Sequence, residues 1–153
     1  MATPEIEPAR RLLLEAVDRV IAAAAGLDVQ AVNWRPLPEA SSLGALALHL
    51  LGATEQNVMT SLTRTRPTER VRDDEFALRE ETGASLAARW AALRPEIAAA
   101  LDTVSAVDLL RSRPHHRFGD MTGRDLLDRM VAHAYEHAGQ AELTRQLLDA
   151  RGA

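Results

Sequence analysis

The side chains best suited to chemistry are histidines, and two of them stand four apart in His133-Ala134-Tyr135-Glu136-His137-Ala138-Gly139-Gln140. On a helix, residues at i and i+4 lie one above the other, so both imidazoles would project from one face. His49 is the natural third member, a polar residue inside the apolar run Leu46-Ala47-Leu48-His49-Leu50-Leu51. Neutral imidazole nitrogen suits Zn, Ni, Fe or Cu, and three protein ligands leave positions open for water or substrate. Each feature is weak alone, because a lone histidine in an apolar helix is ordinarily a hydrogen-bonded core residue and HxxxH arises by chance. Together they carry more, since three imidazoles on inward faces would find helix backbone already used in helix bonds. Spacing alone leaves both readings open: a metal site, or a hydrogen-bonded histidine cluster.

Composition narrows what could surround them. At 153 residues the chain suits one domain, 1–153, with a real hydrophobic core. Alanine and leucine dominate while aromatic residues are 3%, which favours an all-α fold. The formal charge of −4, with arginines interspersed among acids, offers no basic field, so nucleic acid is not an expected partner. With no cysteine there is no disulfide, thiolate ligand or protein thiol nucleophile, and any sulfur chemistry must arrive with a substrate. All the basic residues are arginine, which excludes lysine Schiff bases. The start Met1-Ala2-Thr3-Pro4-Glu5 lacks a basic and an apolar leader region, and no apolar run reaches membrane length. The expectation is a cytoplasmic chain with no membrane partner.

Four long helices are predicted to position the histidines. Leu13, Val17, Val20, Ile21 and Ala24 recur at helical spacing from about residue 8 to a stop at Gly26. Asp28 to Asn33 can form a short turn before Trp34-Arg35-Pro36-Leu37-Pro38, an extended connection from which Trp34 is expected to plug the core. Ser42 caps a second helix from Leu43 to about Leu62, apolar nearly all round at first and hence central. Small neighbours on the face of His49, namely Ala45, Gly52 and Ala53, leave space beside the imidazole for close packing or a ligand. Thr82 caps a third helix, with Leu86, Trp90, Leu93, Ile97 and Leu101 inward and Pro95 expected to bend or divide it. A fourth, from about Gly123 to Asp149, places Leu126, Met130, His133, His137, Ala141 and Thr144 on one face.

Between them, Thr63 to Glu75 is charged in both signs and reads as a solvated loop. Ser105 to Leu110 is a possible short helix, and Arg111 to Asp120 a polar connection in which His115 and His116 are expected to be exposed. Glu55, Gln56, Glu136 and Gln140 are candidates to buttress the histidine ligands from behind.

At two blocks the chain resembles the DinB-like superfamily, which includes bacillithiol transferases and mycothiol-dependent isomerases. One is Ser42-Leu43-Gly44-Ala45-Leu46-Ala47-Leu48-His49-Leu50-Leu51-Gly52-Ala53-Thr54-Glu55, similar to the family's helix-two block. The more specific is His133 to Gln140, similar to its HxxxHxGQ block. The resemblance implies an up-down-down-up four-helix bundle, often a homodimer, with a divalent metal (Zn, Ni or Fe) on His49, His133 and His137. In such relatives the metal activates a low-molecular-weight thiol, which attacks or helps isomerise an electrophile. The aromatic pair often found after the helix-two histidine stands here as Asn57-Val58.

The function expected from these readings is a metal-dependent thiol S-transferase. Its partners would be a small-molecule electrophile and a thiol such as mycothiol. The alternatives are a non-catalytic metal- or small-molecule-binding stress-related module, and a metal-dependent hydrolase in which three nitrogen ligands acidify a bound water.

Overall fold

Helix α3 (Leu43–Glu55) is the element around which the others pack, with all of its 13 residues buried except Gly52 and Glu55. Such a helix has no polar face to present, so it is stable only when surrounded. The computed structural model describes residues 3–115 and 117–152, and His116 lies outside them. In chain order the elements are α1 (Glu7–Ala23), α2 (Val29–Val32), α3, a π-helical stretch (Gln56–Leu62), α4 (Arg72–Ala77), α5 (Gly83–Asp102), α6 (Ala106–Leu110), β1 (Ser112–His115), β2 (Gly119–Thr122) and α7 (Gly123–Arg151). Helices α1, α3, α5 and α7 form an all-α bundle in which α1 and α3 each pack on both α5 and α7.

The apolar periodicity explains the packing. Leu13, Val17 and Val20 of α1 and Leu86, Trp90, Ile97 and Leu101 of α5 enter one core with Leu126, Leu127, Met130, Ala134 and Ala138 of α7. At the edge of this core Trp90 Nε1 donates to Asp18 at 2.7 Å, and Arg94 forks onto the same carboxylate. Ser42, Thr82 and Thr122 each accept a backbone N–H three residues on, capping α3, α5 and α7. Gly26, at φ +73°, turns the chain out of α1. Among the described residues no helix is long and apolar enough to cross a membrane.

Several local expectations are corrected. Of the two outcomes expected at Pro95, division does not occur, since α5 is one continuous helix; Ala91, whose carbonyl Pro95 cannot bond, is exposed, where water can serve it. Trp34 is only half-buried and lies under the Arg151 guanidinium, while Val32 fills the core instead. The second long helix changes character after Glu55, closing with a Thr63 N–H to Val58 carbonyl bond five residues back. The 111–120 connection contains an antiparallel hairpin pairing Ser112 with Thr122 and His115 with Gly119. Its strands alternate, so Arg113 and His115 both turn inward and are buried. Arg113 is held there by the carbonyls of Leu62 and Asp108.

Candidate metal centre

Helices α3 and α7 bring His49, His133 and His137 together, with one ring nitrogen of each within 4.8 Å of the others. His133 Nε2 lies 3.3 Å from His49 Nε2 and 3.0 Å from His137 Nε2. Two nitrogens each about 2.1 Å from a common cation, at octahedral to tetrahedral angles, stand about 3.0–3.4 Å apart. Both separations from His133 fall in that range, and His49 and His137 lie within 4.8 Å of each other.

What lies behind the rings orients them. His137 Nδ1 is 2.8 Å from Gln140 Oε1, so Nδ1 carries the proton and the Nε2 lone pair faces the other histidines. His49 Nδ1 is 3.2 Å from Glu75 Oε2 and 3.0 Å from Arg70 Nη2. An acceptor and a donor thus compete for this nitrogen. Arg70 is already satisfied by Glu75, at 2.6 Å through Nε and 2.8 Å through Nη2, whereas the second Glu75 oxygen gains a further donor if Nδ1 is protonated. That tautomer leaves every group paired and again aims the lone pair inward. With both neighbours as acceptors, one proton on His133 Nε2 satisfies all three rings; a cation in its place needs His133 to carry its proton on Nδ1 instead. The donor set fits a divalent cation.

The electrostatics agree. Burial, then the neighbouring His137 and His49, push His133 down to about 4. Burial likewise lowers His137, against the opposing hydrogen bond to Gln140. Both are neutral at pH 7, the state that coordinates. Burial alone would raise the Glu75 carboxyl, but its hydrogen bonds with His49 and Arg70 outweigh that and hold it below its ordinary value.

The segment read as a solvated loop is thus part of the centre. Arg70 and Glu75 are about as buried as His49, with side chains 10% and 12% exposed. Their mutual pairing removes the need for solvent. Phe76 of α4 tilts over the His49 ring, with centroids 5.1 Å apart. The space beside Gly52 is not open: a Cβ there would run into the Glu75 carboxylate.

Of the four buttressing candidates, Gln140 bonds His137 directly and Gln56 reaches His49 through Arg70, whose Nη1 donates to it at 3.2 Å. Glu136 is exposed, 3.5 Å from the Gln140 amide, and lines the cleft. Glu55 turns away to Arg66 at 2.7 Å and does not meet the histidines.

The three imidazoles open into a cleft of about 1020 Å³. Leu46, Leu126 and Met130 supply apolar lining, and His115, Arg117 and Phe118 of the hairpin form part of its wall. The exposure expected of His115 is corrected: it is buried, its Nδ1 accepts from the backbone N–H groups of Arg117 and Phe118, and its Nε2 therefore donates to Asn57 at 3.1 Å. Reading the sequence missed Arg70, Glu75, Phe76 and His115. Gly52, small and next to His49, was the available signal for the first two.

Fold and site define a helical bundle with three converging histidines on facing helices at the base of an open cleft. The chain belongs to the DinB superfamily, whose family model matches residues 7–141. Among solved structures it is similar to a conserved protein from Enterococcus faecalis, with a TM-score of 0.76, 18% identity, and coverage of 98% of this chain and 99% of that one. That likeness is one of fold. No curated protein matches the sequence.

Proposed function

We propose that His49, His133 and His137 bind a divalent cation, and that the chain is a metal-dependent thiol S-transferase using a low-molecular-weight thiol such as mycothiol. The observation that carries this reading is the convergence of three imidazoles on an open cleft, with the Nε2 of His133 at ligand spacing from those of His49 and His137. Zinc, nickel and iron all accept such a set. The cation, when bound, supplies Lewis-acid stabilisation of a thiolate at neutral pH.

The chain's own residues do the rest. Glu75 and Gln140 hold the His49 and His137 lone pairs toward the cleft through the opposite ring nitrogens. The chain has no cysteine, so the sulfur comes with a substrate. A cleft of about 1020 Å³ is at the upper end for one small molecule, which suits a thiol and an electrophile side by side. In S-transfer the thiol S–H bond breaks, a C–S bond forms, and the leaving group departs with its bonding pair. The released proton needs an acceptor, and Glu136 is the carboxylate among the described residues lining the cleft.

The test is metal analysis of the untagged protein and of His133→Ala, coupled to thiol consumption with mycothiol and bacillithiol over a panel of electrophiles. The expected result is metal in the wild type, its loss in the variant, and thiol consumption only by the loaded protein. Equal, negligible metal in both would overturn the reading. Metal without thiol consumption would leave a binding module.

A further inference from the structure

The cleft is positive at its rim although the chain as a whole is −4. Arg70, Arg72, Arg117 and Arg129 line it against one carboxylate, Glu136. Arg70 is spent on Glu75, and Arg72, though it too packs on a ring, that of Phe76 at 4.9 Å, is 4.0 Å from the exposed Asp73. Arg117 and Arg129 differ. Their guanidinium carbons lie 5.3 and 4.6 Å from the centroid of the Phe118 ring, and neither closes an ion pair with a described carboxylate. On the side away from the histidines, Phe118 and Arg129 also border a shallower hollow lined by Asp120, Asp125 and Asp128; Asp125, one turn before Arg129 on α7, is near enough for its charge to be felt but accepts from Thr122 at the helix cap.

A guanidinium packed on an aromatic ring keeps its N–H edge free and loses little further entropy when it engages an oxyanion. The support beneath is tied to its surroundings. Phe118 stacks on His115 at 5.1 Å and 20°, and His115 is fastened to Asn57 and to the turn's own N–H groups. Phe118 is itself 48% exposed, an aromatic surface available to a ligand between two cations.

We infer that Arg117, Arg129 and Phe118 form an anion subsite that selects small molecules bearing a carboxylate, with the carboxylate on the arginines and the adjoining apolar part on Phe118. This deepens the proposed function by naming its substrate class. The carboxylate enters on the electrophile or on the thiol.

Benzoate and benzamide, equal in shape and different in charge, test it by calorimetry and amide chemical shifts on metal-free protein: wild type, Arg117→Gln, Arg129→Gln and the double variant. All the changed side chains are exposed, and circular dichroism checks their folding. Expected is benzoate binding about tenfold or more tighter than benzamide, weakened by salt, shifting the Arg117 and Phe118 amides, with the preference abolished in the double variant. Equal binding of the two probes, no benzoate binding, or an unchanged preference in the double variant would overturn the subsite. Zinc uptake is measured separately on the same proteins, so failure of the metal reading shows as absent zinc in wild type whatever benzoate does. On zinc-loaded protein, preference for 3-mercaptopropanoate over 3-mercaptopropanamide places the carboxylate on the thiol. Joint binding of benzoate with 2-mercaptoethanol places it on the electrophile, and either supports the subsite.

Discussion

Glu75 Oε2 lies 3.2 Å from Nδ1 of His49, reaching it from a six-residue helix 26 positions further along the chain. The carboxylate fixes the ring's tautomer and is itself fixed by Arg70. Glu75→Gln is therefore expected to weaken metal binding about 10- to 100-fold, the usual cost of losing such a support. Competition with a zinc chelator reads this directly. Asp73→Asn, on the same helix with its side chain 95% exposed, is expected to leave the affinity unchanged.

Gly52→Ala separates helix propensity from site geometry. Alanine in place of a helical glycine favours the helix by about 0.5–1 kcal/mol. Its Cβ, however, would collide with the Glu75 carboxylate and sit 3.0 Å from Arg70 Nε. The expected outcome is undiminished helix content by far-UV circular dichroism together with metal affinity reduced about tenfold. Unchanged affinity would show that α4 relaxes without disturbing His49.

Gln140 should matter less than Glu75, because it is exposed. Gln140→Ala removes the acceptor from His137 Nδ1, and a loss of about tenfold or less in metal affinity is expected. Gln140→Glu keeps the acceptor and adds charge, making the imidazole a better donor, so it should bind metal at least as tightly as wild type. The order Glu, Gln, Ala in a chelator titration checks the orientation assigned to His137.

Acid acts through His133. Its folded value is pushed down to about 4, chiefly by burial, against about 6.5 unfolded. The unfolded chain thus binds more protons between these values. The contribution to stability is fully present above pH 6.5, falls as pH drops from 6.5 to 4, and is gone below. For the metal-free protein this amounts to about 3 kcal/mol at most, read from urea midpoints at pH 7, 5.5 and 4. Metal on His133 should be retained at pH 6 and lost near pH 4, since protonated imidazole cannot coordinate.

The long helices were legible because their burial is periodic: Leu86, Trp90, Ile97 and Leu101 announce the inner face of α5 by spacing alone. The histidines were legible for the complementary reason, since His49 interrupts an apolar run and His133 and His137 share a helix face. What escaped reading depended on contacts distant in sequence. Arg70 and Glu75 have the composition of a solvated loop, and only their pairing over Gly52 and His49 makes them interior. The strands Ser112–His115 and Gly119–Thr122 are four residues each, too short for alternation to register against the helical background. His115 looked exposed because its partner, Asn57, lies 58 positions away.

His49 and His133 are separated by 84 positions, so one cation shared between them would staple the second long helix to the last across more than half the chain. Such a bond closes a large loop that the unfolded chain would otherwise explore freely. Occupancy would then be written into the melting temperature, rising with free metal concentration above the dissociation constant. The centre would serve as a reversible cross-link in a protein that has no cysteine with which to make a permanent one.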